Sequence, residues 1–291
     1  MRITVHDTLT STRRLLDAPL AQRPARLLDL LEPVLPMYRY APARPVDAHH
    51  LGHGFRVDEE RGDLYRAALD QLAAVDAWGQ VERCLAASLA AQTAATPALR
   101  TADELHAVLL LGDPSDPFFL NVTGGYFGMG GIPGYLTVTV WPTDANSGKI
   151  GFCAAHELHH NLRFANVVWN PMSVTVGDQV ISEGLAEAFV RELFGDAAMG
   201  PWGDPARGDD AAYAKVVAGL GIVGMGHLAS YVHGDETARR MGGEPVGLPD
   251  GAGYAAGLRL VDAHLAATGL TATQSTLLPA AEIIANALRP V

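Results

Sequence analysis

Two histidines and a glutamate stand at a spacing that suits metal-assisted hydrolysis. His156, Glu157 and His160 form the pattern His-Glu-x-x-His. At about 100° per residue on an α-helix, His156 and His160 lie about 40° apart on one face, so both rings can approach one ion. Glu157 lies about 60° from His160, beside the open side of that ion. The spacing therefore predicts a zinc site with two histidine ligands and a glutamate general base.

The pattern lies in a segment that is predicted to be helical. Residues 146–148 read as a loop, and apolar residues then recur at helical spacing from Ile150 to Leu162. We therefore expect a helix over residues 150–164, with the His-Glu-x-x-His residues on it.

A zinc ion held by two histidines needs a third protein ligand if one position is left for water. Residues 181–194 are rich in helix formers and stop at Gly195, so Glu183 and Glu187 fall one turn apart on one face of a predicted helix. We expect Glu183 to bind the ion and Glu187 to accept the imidazole N–H of a histidine ligand. The alternative is a pair of solvated helix faces with salt bridges. The apolar stretch around Glu183 argues against it, because an unpaired buried carboxylate is costly.

The two motifs resemble a known family. His156-Glu157-Leu158-His159-His160 followed by Ser182-Glu183-Gly184-Leu185-Ala186-Glu187 resembles the YjaZ-like family of predicted zinc-dependent proteases and, more broadly, the gluzincin peptidases. The resemblance spans roughly residues 60 to 285. It implies a gluzincin-like zinc peptidase with a small sheet, Zn²⁺ as cofactor and a peptide or protein substrate. The third gluzincin ligand maps onto Glu183.

Hydrolysis of a peptide bond generates an oxyanion, which a tyrosine or histidine commonly stabilises. Tyr254 follows a flexible loop and opens a predicted helix, and Tyr254-Ala-Ala-Gly257 resembles the Tyr-x-x-Gly of gluzincin aminopeptidases, where that tyrosine has this role. A buried structural tyrosine is the alternative. His233 is a second candidate, although it could simply end a helix. His159 points about 100° away from His160, which indicates a second-shell position or a substrate contact.

Two strands are predicted before the metal-binding helix, at residues 106–111 and 135–141. The glycine-rich residues 124–134 lie between them and lack the Gly-Lys-Ser/Thr ending of a phosphate loop. In gluzincin-like enzymes the strand before the zinc helix is the sheet edge that pairs with an extended substrate. Residues 136–140 could therefore bind peptide by strand addition, or form an ordinary sheet strand.

The remaining pattern is mostly helical. The sequence thus predicts a predominantly helical α+β fold in a single zinc metallopeptidase-like domain, residues 1–291, with a helical N-terminal part (1–100) followed by the sheet and catalytic helices (101–291). Further helices are expected at 8–36, as short pieces, and at 63–92, 213–231 and 254–267.

A second histidine-rich segment, His49-His50-Leu51-Gly52-His53, could imitate a metal cluster. It lacks an acidic residue at ligand spacing and contains a glycine. We therefore expect a surface loop there.

Composition limits the partners. The chain of 291 residues has 48% hydrophobic and 18% charged residues, enough for a substantial core. Its net charge of −11, from 21 basic and 32 acidic residues, argues against nucleic acid and anionic membranes as partners.

The N-terminus lacks a signal-peptide pattern and no run is long enough to span a membrane, so we expect a cytoplasmic protein. Two cysteines, Cys84 and Cys153, do not suggest a disulfide framework.

Three functional hypotheses follow. The first is a zinc metallopeptidase in which Glu157 is the general base. The second is a zinc-bearing binding or regulatory protein without turnover. The third is a zinc hydrolase that acts on non-peptide amides or esters. Hydrolysis that depends on Glu157 separates the second from the others, and a substrate panel separates the first from the third.

Overall fold

The computed structural model describes residues 1–40 and 43–289. They form two compact units, each discontinuous in sequence. Unit 1 comprises Met1–Leu89 and Thr101–Asn161, and unit 2 comprises Ala90–Arg100 and Leu162–Val291. The single domain over residues 1–291 stays a prediction.

The described residues are mostly helical with one small sheet, which confirms the predominantly helical α+β class. No helix among them is both long and apolar enough to cross a membrane. The strands are β1 (Arg2–Val5), β2 (Glu104–Leu111), β3 (Tyr126–Met129) and β4 (Tyr135–Val140). The helices are α1 (Thr8–Asp17), α2 (Arg23–Leu31), α3 (Pro45–Leu51), α4 (Gly62–Ala74), α5 (Ala77–Ala95), α6 (Pro117–Asn121), α7 (Ile150–Phe164), α8 (Val176–Phe194), α9 (Asp210–Gly219), α10 (Asp235–Arg240), α11 (Ala252–Thr268), α12 (Ala272–Ser275) and α13 (Ala280–Ala287).

The sheet of unit 1 has the order β1-β2-β4-β3. β1, β2 and β4 run parallel, and β3 pairs antiparallel with β4. β4 is therefore paired on both sides, and the prediction that its residues 136–140 form a substrate-binding edge is wrong. The glycine-rich residues 124–134 between the two predicted strands contain β3, which pairs with β4 and forms one edge of the sheet.

The predicted long helix at 213–231 is also wrong. α9 ends at Gly219, and a π-helical turn, Ala229–His233, follows after an irregular segment. Gly219 lies against the ring of Tyr231: a Cβ at this position would lie 2.4 Å from Tyr231 Cε1. Gly224 has φ of 112°, a left-handed backbone that favours glycine and does not continue a helix. The glycines in this segment therefore break the helix.

The core of unit 2 is built on α8, which packs chiefly against α11. Phe189 of α8 and Leu260 and Val261 of α11 are fully buried in this core. α8 begins five residues before the predicted start because Thr175 and Asp178 form a capping box: Asp178 N donates to Thr175 Oγ1 (3.0 Å) and Thr175 N donates to Asp178 Oδ2 (2.9 Å). The cap fixes the start of the helix that carries Glu183 and Glu187.

Candidate metal centre

The His-Glu-x-x-His residues lie on α7, whose bounds are those predicted from the sequence. The apolar positions from Ile150 to Leu162 are buried, as expected of a helix that packs into a core. His156, Glu157 and His160 are also buried, with side chains 3%, 6% and 6% exposed. Polar groups are rarely buried to this degree unless they bind a partner, so the burial itself points to a site.

The geometry of the two histidines fits a shared cation. Their Nε2 atoms lie 3.0 Å apart. Two nitrogen ligands of a tetrahedral zinc ion are expected to lie about 3.3 Å apart, given Zn–N bonds of about 2.0–2.1 Å. The ligand atoms of His156, Glu157 and His160 all lie within 4.8 Å of one another. These residues therefore fit a metal ion, and the donor set of nitrogen and carboxylate oxygen suits zinc.

Glu157 is packed against the edge strand of unit 1. A Cβ atom on Gly128 would lie 2.3 Å from Glu157 Cγ, and one on Gly130 would lie 2.1 Å from the Glu157 carbonyl oxygen. Residues with side chains at these two positions would overlap with Glu157. Gly128 and Gly130 therefore permit the close approach of β3 and the following turn to α7.

Glu183 lies in unit 2 on α8 and is 4% exposed. Its Oε1 accepts a hydrogen bond of 2.7 Å from Gln179 Nε2, and Gln179 Oε1 accepts one of 3.3 Å from Trp169 Nε1. The indole is a donor only, so it orients the Gln179 amide with its NH₂ group toward Glu183. Gln179 belongs to neither sequence motif, although its position one turn before Glu183 is a signal for such a partner.

Glu187 lies one turn after Glu183. Its Oε2 accepts a hydrogen bond of 3.1 Å from Gly200 N. Glu187 and Tyr254 both line a cavity of about 280 Å³ in unit 2, together with Arg191 and Arg259. The structure thus places Glu187, which is predicted to orient a histidine ligand, and Tyr254, which is predicted to donate to the oxyanion, at one cavity.

The two candidates for oxyanion stabilisation are neighbours. The ring centroids of His233 and Tyr254 lie 5.7 Å apart. Burial lowers the pKa of His233 below its usual value, and the nearby Glu183 carboxylate opposes that shift. Glu183, His233 and Tyr254 therefore share one neighbourhood within unit 2.

The glycines of two motifs explain how α8 and α11 come together. A Cβ on Gly184 would lie 2.2 Å from the carbonyl carbon of Gly257, and one on Gly257 would lie 2.1 Å from Val180 O. The helix backbones are in direct contact at this point, which requires residues without side chains. Gly184 follows Glu183, and Gly257 lies one turn after Tyr254. The contact therefore fixes the spacing between these two predicted site residues.

His159 is fully buried, with its ring centroid 6.3 Å from that of His160. The neighbouring Asn161 belongs to neither sequence motif. It is 1% exposed and makes four hydrogen bonds to the backbone of residues 130–135. Its position directly after His160 was the one available signal.

The segment His49–His53 is not a surface loop. α3 covers Pro45–Leu51, and His49 is 2% exposed, with its Nε2 3.2 Å from Phe55 O. His53 Nδ1 lies 2.9 Å from Asp116 Oδ2, and its ring stacks on Phe119. The acidic partner comes from a distant part of the chain, so local spacing did not reveal it.

Comparison with known proteins agrees with this centre. A family model described as "Predicted Zn-dependent protease (DUF2268)" matches residues 86–285. The uncharacterized protein YjfC of Bacillus subtilis (strain 168) is 38% identical over 174 residues, which cover 59% of this chain and 58% of YjfC. No solved structure matches the chain. The family model covers more than half of the chain and includes both motifs, as their resemblance predicted, and the chain belongs to the DUF2268 family of predicted Zn-dependent proteases.

Proposed function

We propose that this protein is a zinc metallopeptidase of the His-Glu-x-x-His type. The observation that carries the proposal is the buried pair of imidazole Nε2 atoms 3.0 Å apart, with a glutamate carboxylate in the same group of ligand atoms. The two histidines stand at positions i and i+4 of one helix with their rings facing each other, and a glutamate directly follows the first of them. This arrangement matches the requirements of a hydrolytic zinc site.

His156 and His160 would hold the ion, and Glu183 would be the third ligand in a gluzincin-like arrangement. When bound, zinc would supply the Lewis acidity that activates water for attack. Glu157 takes the proton from the attacking water and delivers it to the leaving amine. Burial of Glu183 and its hydrogen bond from Gln179 support its role, because a buried carboxylate needs compensation.

Glu187 would stabilise the centre as a hydrogen-bonding partner of a ligand, with Gly200 N holding one of its oxygens. Tyr254 would donate to the oxyanion, and its place beside a cavity of about 280 Å³ supports that role. His233, whose ring neighbours that of Tyr254, is the rival donor.

The edge strand supports a peptide substrate. β3 is paired on one side only among the described strands, and Gly128 of this strand lies against Glu157. A peptide that adds to this edge by backbone hydrogen bonds would pass beside the general base. Esters and simple amides would not use such an edge, so peptide bonds are the favoured target.

A chelation experiment tests the function. The zinc-loaded protein is incubated with a peptide library and with a panel of amides and esters, before and after zinc is removed and restored. We expect peptide cleavage that disappears with the metal and returns with it. Hydrolysis confined to amides or esters would contradict the peptidase assignment. A protein that binds zinc but hydrolyses none of these compounds would instead be a binding or regulatory protein.

A further inference from the structure

The hairpin formed by β3 and β4 is held at both ends by a buried asparagine. At one end, Asn146 Nδ2 donates to Gly124 O and Trp141 O, both at 2.9 Å. At the other end, Asn161 Nδ2 lies 3.0 Å from Gly130 O. Each asparagine is only 1% exposed. The two residues therefore have the same type, the same burial and the same kind of partner, at opposite ends of one hairpin.

Asn161 engages its end of the hairpin more extensively. Its Nδ2 also lies 2.9 Å from Ile132 O and 2.8 Å from Tyr135 O, and its Oδ1 accepts a hydrogen bond of 2.9 Å from Gly134 N. One side chain thus binds four polar backbone groups of a glycine-rich turn. A turn of this composition has little side-chain packing of its own, so it depends on Asn161 for its position.

The end held by Asn161 is the one that contacts Glu157. Gly130, whose carbonyl binds Asn161, lies against the Glu157 backbone, and Gly128 lies against its side chain. Asn161 is one helical turn after Glu157 on α7. Asn161 therefore fixes the turn to α7. β3, the strand that leads into this turn, lies along the Glu157 side chain.

We propose that Asn161 is a positioning residue for Glu157, acting through the glycine strand that it holds against that side chain. The strand restricts the rotamers of the carboxylate and keeps it at one distance from the reacting water. General-base catalysis depends on such geometry, and a displacement of about 1 Å can reduce a rate by about 100-fold. This inference rests on the proposed function, because it assigns Asn161 to the reaction of that site.

The first test needs no metal. Amide hydrogen exchange is measured in metal-free full-length protein for the wild type, Asn161→Leu and Asn146→Leu. Leucine matches the branching of asparagine, adds no charge and donates no hydrogen bond. We expect faster exchange of residues 128–135 in Asn161→Leu, and faster exchange near residues 124–126 and 141 in Asn146→Leu. Unchanged exchange of residues 128–135 in Asn161→Leu would overturn the inference.

The second test is kinetic and uses the same variants at matched zinc content. Asn161→Leu should keep its zinc and lose kcat by about 100-fold, whereas Asn146→Leu should retain kcat close to that of the wild type. Equal losses in both variants would show a merely structural role and overturn the inference. An inactive wild type would overturn the proposed function and this inference with it. Equal losses in the two variants of an active wild type would overturn the inference alone, so the two failures are distinguishable.

A further variant covers the case in which Asn161→Leu does not fold. Gly128→Ala places a methyl group that would overlap with the Glu157 side chain, and it removes no backbone N–H or C=O group. We expect a lower kcat with KM near the wild-type value and full zinc. Gly148→Ala is the matched control, because a Cβ there has no neighbour within 4 Å among the described atoms. Identical kcat in these two variants would contradict the positioning role.

Discussion

Unit 1 contains two histidine-rich segments, and they are used in different ways. His156 and His160 are one turn apart on α7, and their Nε2 atoms face each other at 3.0 Å. His49 and His53 lie in and after α3, where one ring approaches the Phe55 carbonyl and the other pairs with Asp116. Each segment contains three histidines. In the second segment, however, His49 Nε2 and His53 Nδ1 are directed to separate partners.

The orientation of the rings, rather than the number of histidines, therefore distinguishes the candidate metal site. Helical spacing of four residues directs two rings to one point, and an intervening glutamate adds the acidic group. In the segment around α3, adjacent histidines diverge and become part of the packing. Among the described residues, this segment contributes no group of three ligand atoms within 4.8 Å of one another.

The largest effect is expected from Glu157→Gln. Glutamine keeps the shape of the side chain and accepts no proton, so kcat should fall by about 10² to 10⁴-fold while zinc remains bound. His50→Gln in the other segment should leave both zinc and kcat unchanged. Peptide cleavage per bound zinc is the measurement. Full activity of Glu157→Gln would reject Glu157 as the general base.

Tyr254→Phe should have the next largest effect. Removal of one oxyanion donor typically costs about 10² to 10³-fold in kcat, and zinc should be retained because the hydroxyl does not bind it. His233→Gln provides the comparison, since the two rings are neighbours. Steady-state kinetics of both variants decide between them. If His233→Gln loses more kcat than Tyr254→Phe, the donor is the histidine.

A smaller change is expected for Glu187→Gln. Loss of a carboxylate that orients a metal ligand commonly weakens metal affinity or activity by about 10 to 100-fold. Competition with a chromophoric chelator measures the zinc affinity. An affinity equal to that of the wild type, together with full activity, would remove Glu187 from the centre.

The smallest effect concerns the packing segment. Burial lowers the pKa of His49 from 6.5 to about 3. Below pH 6.5 the unfolded chain therefore binds a proton that the folded chain does not, and folding stability is lost as the pH falls toward about 3, by at most about 1.4 kcal/mol per pH unit. His49→Gln can still donate to Phe55 O and should reduce this loss. Chemical denaturation at pH 7 and pH 5 tests it; equal pH dependence in both proteins would contradict the assignment.

The sequence predicted those elements that have a strong local pattern. α7 was predicted with its observed bounds because apolar periodicity and the metal motif coincide on it. β3 was missed because it is only four residues long and contains Gly128 within a glycine-rich stretch, although Tyr126 and Phe127 favour strands, and pairing with β4 stabilises it. The start of α8 was missed although Thr175 and Asp178 carry a recognisable capping box.

The site shows the same division. His156, Glu157 and His160 followed from spacing alone, and the structure groups them. Gln179 and Asn161 act through hydrogen bonds that depend on tertiary contacts, so residue type alone did not reveal them. The burial of His49 likewise depends on Gly54, because a Cβ at position 54 would lie 2.2 Å from His49 Cε1. Spacing therefore identifies candidate ligands, whereas the side chains that hydrogen-bond around them become visible only in the fold.

The zinc content per chain tests whether His156, His160 and Glu183 hold a zinc ion. Wild type, His156→Ala, Glu183→Ala and His50→Gln are purified in parallel, confirmed to be folded, and analysed for bound metal. The account predicts one zinc per chain in the wild type and in His50→Gln, and substoichiometric zinc in the other two variants, because each lacks one of three ligands. Full zinc in both His156→Ala and Glu183→Ala would contradict it.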